Sequence, residues 1–139
     1  MALLVRDLMT EDPVTLSPED NATALWDLMD SRHIRHVPVV DSDGQLQGLC
    51  SSRDLMRGAL AGSSDLPVSN RRDMLSDINV ESFMVVDVES VEPTTPIVEA
   101  AALMLENKFG CLPVTLGGEV VGILTEADFV RFLADREAE

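Results

Sequence analysis

The chain of 139 residues is the size of one ordinary domain or two very small ones, and its 45% hydrophobic, 25% charged make-up is that of a folded protein rather than a disordered one. Ten Lys and Arg against twenty-five Asp and Glu give a formal net charge of −15, which repels polyanions and argues against nucleic acid or an anionic membrane as partner, though not against a small anion in a local pocket. Four Phe, one Trp and no Tyr leave the core to Val, Leu, Ile, Met and Ala, and no apolar run reaches the ~18 residues of a membrane span.

The opening residues, Met1-Ala2-Leu3-Leu4-Val5-Arg6-Asp7, meet charge too soon for a secretory signal, so a soluble, cytoplasmic protein is expected. Val14-Thr15-Leu16 then reads as a short strand before a Pro-containing turn. Ala22, Leu25, Trp26 and Met29 fall at helical spacing, with Ser17 as the expected N-cap. Val37–Val40 and Leu46–Cys50 read as strands joined through Asp41-Ser42-Asp43-Gly44, and a second helix is expected from about Arg53 to Leu60. Residues 61–79 read as a linker marked by Gly62, Ser63, Ser64 and Pro67.

After the linker the chain repeats itself. Val80-Glu81-Ser82-Phe83-Met84 echoes Val5-Arg6-Asp7-Leu8-Met9, and Ser90-Val91 answers Thr15-Leu16. A helix is expected through Ile97, Ala100, Ala101 and Met104, capped by Thr94 or Thr95 with Pro96 in its first turn. Leu112–Leu116, the turn Gly117-Gly118 and Val120–Leu124 form the second hairpin, closed by a helix from about Glu126 to Ala134. Both turns hold the Gly that a positive φ demands. The expected fold is α+β: two β-α-β-β-α copies, residues 1–60 and 80–139, packed about a pseudo-two-fold axis, since a copy of this size leaves an apolar face uncovered.

An apolar-Pro-Val strand before a Gly hairpin, then Gly-x-x-[Ser/Thr]-x-x-Asp, twice in register, resembles the CBS-domain family. The tandem is similar to the CBS pair called a Bateman module, and the resemblance covers nearly the whole chain. It implies a non-catalytic regulatory module that binds AMP, ADP, ATP, S-adenosylmethionine or NADH in clefts between the repeats, acts on a partner protein, and associates as a homodimer. Carried over by position, the ligand residues of the first copy are Thr15, Leu16, Arg35, His36, Val37, Pro38, Ser51, Arg53 and Asp54. Those of the second are Ser90, Val91, Gly110, Cys111, Leu112, Pro113, Thr125 and Asp128. In this scheme Asp54 and Asp128 hold a ribose diol, Ser51 and Thr125 reach phosphate, and the apolar strand residues sandwich a purine. Ser51 and Thr125 would serve as helix caps in any case.

Positive charge is concentrated in one copy. Arg32, Arg35, Arg53 and Arg57, with His33 and His36, lie close together, whereas Lys108, Phe109, Gly110 and Cys111 occupy the matching strand entrance of the second copy. A guanidinium fork suits phosphate, so the first site is expected to take a phosphorylated ligand and the second a less charged one or none. Pairing with surface acids is the alternative use of these arginines.

Cys50 and Cys111 lie among apolar residues and read as free, buried thiols. No metal-ligand spacing, nucleophile elbow or phosphate-loop motif is present, so neither an enzyme nor a metal site is expected. A ligand-free interaction or dimerisation module, using Leu66, Val68 and Met74, is the competing reading.

Overall fold

The computed structural model describes residues 2–59 and 75–138, a mixed arrangement of helices and strands. A one-turn helix (α1, Val5–Leu8) and a two-residue strand (β1, Thr10–Glu11) come first. They are followed by α2 (Ala22–Arg32), β2 (His36–Val40), β3 (Leu46–Ser51) and α3 (Ser52–Asp54), which runs on as a π-turn over Leu55–Ala59. The second copy opens on a 3-10 turn (Val80–Ser82) and continues as α4 (Ile97–Asn107), β4 (Cys111–Leu116), β5 (Glu119–Thr125) and α5 (Glu126–Ala138). Of the expected linker 61–79, residues 61–74, including Leu66, Val68 and Met74, lie outside the described residues.

The two copies agree in fine detail. Each hairpin pairs antiparallel, and each shifts register after its Pro-Val step, at Val39/Val40 and at Val114/Thr115. Leu16 lies parallel to β2, donating its N–H to the Pro38 carbonyl at 3.0 Å and accepting from Val40 N–H at 2.8 Å. Val91 repeats this on β4 with Pro113 (3.1 Å) and Thr115 (2.9 Å). The prolines are tolerated in these strands because only their carbonyls are needed there. The two 11-residue helices, α2 and α4, each end on a non-Gly residue of positive φ, His33 at 55° and Lys108 at 58°. The hairpin glycines also have the expected positive φ: 80° at Gly44, 58° at Gly117 and 87° at Gly118.

The chain divides into two compact units, Val14–Val88 and Met1–Pro13 with Glu89–Glu139. The opening segment of each sequence copy therefore packs on the hairpin of the other copy. β1 pairs with β5 (Thr10↔Ile123, Glu11↔Gly122), making the sheet order β1-β5-β4, while Val85 bridges Leu49 of β3. Val5 is fully buried with Ala100, Leu112, Val114 and Leu124; Val80 is fully buried with Leu25, Val37, Val39 and Cys50. Glycine makes this crossing feasible. A Cβ on Gly48 would lie 2.6 Å from Met84 Sδ and 2.9 Å from the Val85 carbonyl, and one on Gly122 would lie 2.7 Å from Met9 Sδ.

The helix caps differ from those expected. Asn21, not Ser17, caps α2, its side chain accepting from Ala24 N–H at 2.9 Å. Ser17 is engaged in its own turn, where its N–H donates to Asp20. Pro96 occupies the N-cap position of α4, and Thr95 instead accepts from the Glu92 N–H.

Candidate functional site

In the unit 14–88, hydrogen bonds draw the first-copy residues around the start of α3. The Ser52 N–H donates to the Arg35 carbonyl at 3.0 Å, and the ladder sets His36 opposite Ser51 and Val37 opposite Cys50. Leu16 joins through the Pro38 carbonyl. Ser51 and Asp54 close a capping box: Ser51 N–H and Oγ–H donate to Asp54 Oδ2 at 2.9 and 2.8 Å, and Asp54 N–H returns to Ser51 Oγ at 3.1 Å. Among the described residues nothing donates to Asp54 Oδ1, and the residue is half-buried. Thr15, Arg35 and Arg53 are exposed and His36 is half-buried, while the Val37 and Pro38 side chains belong to the interior.

The second copy builds the same frame in its own unit. The Glu126 N–H donates to the Gly110 carbonyl at 3.3 Å, Cys111 stands opposite Thr125, and Val91 joins through the Pro113 carbonyl. Cys111, Leu112 and Pro113 are buried; Ser90, half-buried, accepts from the buried Thr115 hydroxyl at 3.3 Å. Thr125 N–H and Oγ–H donate to Asp128 Oδ2 at 2.8 and 3.2 Å, as Ser51 does to Asp54.

The likeness ends at the second carboxylate oxygen. Asp128 is 3% exposed, and its Oδ1 accepts from Thr10 Oγ–H at 3.0 Å and from Arg131 Nη2. Thr10 and Arg131 are absent from the residues expected at the site. Arg131 had a signal, the i,i+3 spacing of opposite charges on one helix. Thr10 had none, because it is 118 residues from its partner.

The electrostatics follow the sequence asymmetry. Among the described residues Arg32, Arg35, Arg53 and Arg57 make no ion pair, whereas Arg131 is paired. Burial, aided by nearby Asp54, pushes the Cys50 thiol up to about 12, and burial alone raises Cys111 to about 12. Both thiols therefore stay neutral at pH 7 and supply no nucleophile. Among the described residues no cluster of three or more His, Cys, Asp or Glu is placed to hold a metal, and no helix is long and apolar enough to cross a membrane.

Known proteins share this frame. The family model for the CBS domain matches residues 5–61 and 80–135. A CBS domain-containing protein of Dictyostelium discoideum is 32% identical over 137 residues, covering 96% of this chain and 92% of its own length. Other relatives are longer: the chain spans 24% of a homoserine O-acetyltransferase of Methanohalobium evestigatum, 30% identical over 132 residues. Among solved structures, a Vibrio cholerae protein designated for acetoin utilization superposes with a TM-score of 0.85 at 34% identity, covering 99% of this chain and 95% of that one. CBSX2 in complex with AMP gives 0.79 at 26% identity over 96% of this chain and 98% of its own. The CBS domain pair of protein MJ0100, solved with 5′-methylthioadenosine and S-adenosylmethionine, gives 0.81 at 25% identity over 98% and 99%. With both repeats matched by the family model and the same frame in each, the chain belongs to the CBS-domain family as a tandem pair.

Proposed function

We propose that this CBS pair is a regulatory module that senses an adenine nucleotide at its first-copy site and acts on a partner protein. The observation that carries the reading is the carboxylate of Asp54 in α3, whose Oδ1 takes no donor from the described residues and which lies close in the fold to the Arg35-His36 strand entrance. A carboxylate with one oxygen uncommitted can accept from a ribose diol. The guanidinium of Arg35, without an ion pair among the described residues and exposed on a chain with few cations, suits the phosphate. That CBSX2 was solved with AMP, and the MJ0100 pair with S-adenosylmethionine, supports an adenosine-bearing ligand.

A thermal-shift panel of AMP, ADP, ATP, S-adenosylmethionine and NADH tests this. A ligand at one hundred times its dissociation constant adds ~2.7 kcal/mol to native stability. The phosphorylated ligands are expected to shift the transition most, and Arg35→Ala to remove their advantage over S-adenosylmethionine. A panel without any shift would sink the sensing reading.

Self-association is a second part of the proposal. Val98 and Leu105 on α4 are 75% and 81% exposed, and Val130 and Leu133 on α5 are 66% and 63% exposed. Large aliphatics at helical spacing on two helices are apolar surface that a second copy of the chain would cover. Leu105→Glu with Val130→Glu is expected to halve the mass measured by light scattering.

A further inference from the structure

We infer that Asp128 is not a second ligand carboxylate but the fastener of the N-terminal segment, leaving Asp54 as the one carboxylate open to a nucleotide. The inference rests on the reading above for its one-site count, but not for the fastener itself.

A carboxylate has about four acceptor positions. Asp128 has four donors on it: the Thr125 amide and hydroxyl on Oδ2, and the Thr10 hydroxyl and Arg131 guanidinium on Oδ1. Among the described residues Asp54 has two, both from Ser51 and both on Oδ2. The difference comes from the residues that match Thr10 and Arg131 in the repeat. Beside Asp54, Thr10's place is taken by Val85, which comes from the opening segment of the second copy and has no hydroxyl, and Arg131's place is taken by Arg57, exposed on the π-turn and without an ion pair among the described residues. A diol arriving at Asp128 would have to displace two donors from a site 3% exposed, whereas at Oδ1 of Asp54 it displaces none of the described residues.

The fastener also accounts for why a two-residue strand holds its place. Among the described residues β1 is paired through Thr10↔Ile123 and Glu11↔Gly122, followed by a bond from the Asp12 N–H to the Val121 carbonyl at 3.3 Å. Thr10 adds a charge-assisted bond to α5 from the same strand. Arg131 is 61% exposed and adds little by itself, so Thr10 and Thr125 carry the fastening.

The test uses the full chain with AMP and S-adenosylmethionine titrated separately by calorimetry, and amide exchange read at residues 10–12. Wild type is expected to bind one ligand per chain. Asp54→Asn should weaken that binding at least tenfold, and Asp128→Asn and Thr10→Val should each leave stoichiometry and affinity within twofold. Thr10→Val, which copies Val85, should speed exchange at the Asp12 amide about tenfold. Two ligands per wild-type chain, or tenfold weaker binding in Asp128→Asn with native circular dichroism, overturns the proposal. If neither ligand binds any variant, the nucleotide reading and its one-site count fail together. The fastener is then decided by exchange alone, and unchanged exchange in Thr10→Val overturns it.

Discussion

Gly48 and Gly122 are held by contact with a neighbouring segment rather than by their own backbone angles. At Gly48 an added methyl meets the Val85 carbonyl at 2.9 Å as well as Met84 Sδ at 2.6 Å; at Gly122 the nearest carbonyl, Thr10, is 3.1 Å away. A thioether can swing aside, but a carbonyl paired in the bridge cannot. Gly48→Ala is therefore expected to cost about 2–3 kcal/mol and Gly122→Ala about 1–2, within the range for overpacking, measured as shifts in urea midpoint. The reverse order would show that the methionines, not the carbonyls, set the constraint. Cys50 and Cys111 give a second residue-scale prediction. Their thiols rise from 9.0 to about 12 on folding. Below pH 9 both states keep the proton and the thiols add no pH dependence. From 9 to 12 the unfolded chain releases protons that the folded chain retains, so stability falls as pH rises. With no Tyr and a single Lys the chain has little else to titrate in that window. Cys50→Ala with Cys111→Ala should flatten the slope of urea midpoint against pH between 9 and 11.

Among elements, the hairpins and long helices were the legible part. Gly44 and Gly117-Gly118 marked the turns, the Pro38 and Pro113 steps marked the strands, and 3.6-residue spacing marked α2 and α4. These signals are local, so one sequence states them in full. The Ser51 cap was legible for the same reason, whereas the return of Asp54 onto Ser51 appeared only in the structure. What escaped the sequence is non-local. The repeat shows that α1 and β1 match residues 80–86, but equivalence does not say on which hairpin a segment packs. The Asp128 bond to Thr10 was lost with it. Even the cap of α2 turned on a competition, since the Ser17–Asp20 turn engages the expected cap and leaves Asn21 to the helix. The crossing makes a directional prediction. Val5→Ala, which truncates a fully buried side chain, is expected to cost about 2 kcal/mol. Hydrogen exchange should show the lost protection in β4 and β5, 111–125, with β2 and β3 unchanged, and Val80→Ala should give the opposite pattern. Loss spread equally over both hairpins in either variant would contradict the division into units.

At the scale of the whole molecule, fifteen uncompensated negative charges act against compaction. Salt screens that repulsion over about 10 Å at 0.1 M, and it also weakens attractive pairs such as Asp128–Arg131. The urea midpoint should therefore rise between 0.05 and 0.5 M sodium chloride; a fall would mean that attractive pairs outweigh the net charge. The division into units also orders events during synthesis. Val14–Val88 is a continuous run and is complete once its last residue leaves the ribosome. The other unit is not, because residues 1–13 emerge before that run while their partners in β5 emerge after it. Since domains fold as units while the chain grows, the N-terminal segment must wait, with Val5 and Met9 exposed, until more than a hundred further residues have been made. The nascent chain thus has an early folded half and a late one, and the second cannot close before β5 has been made.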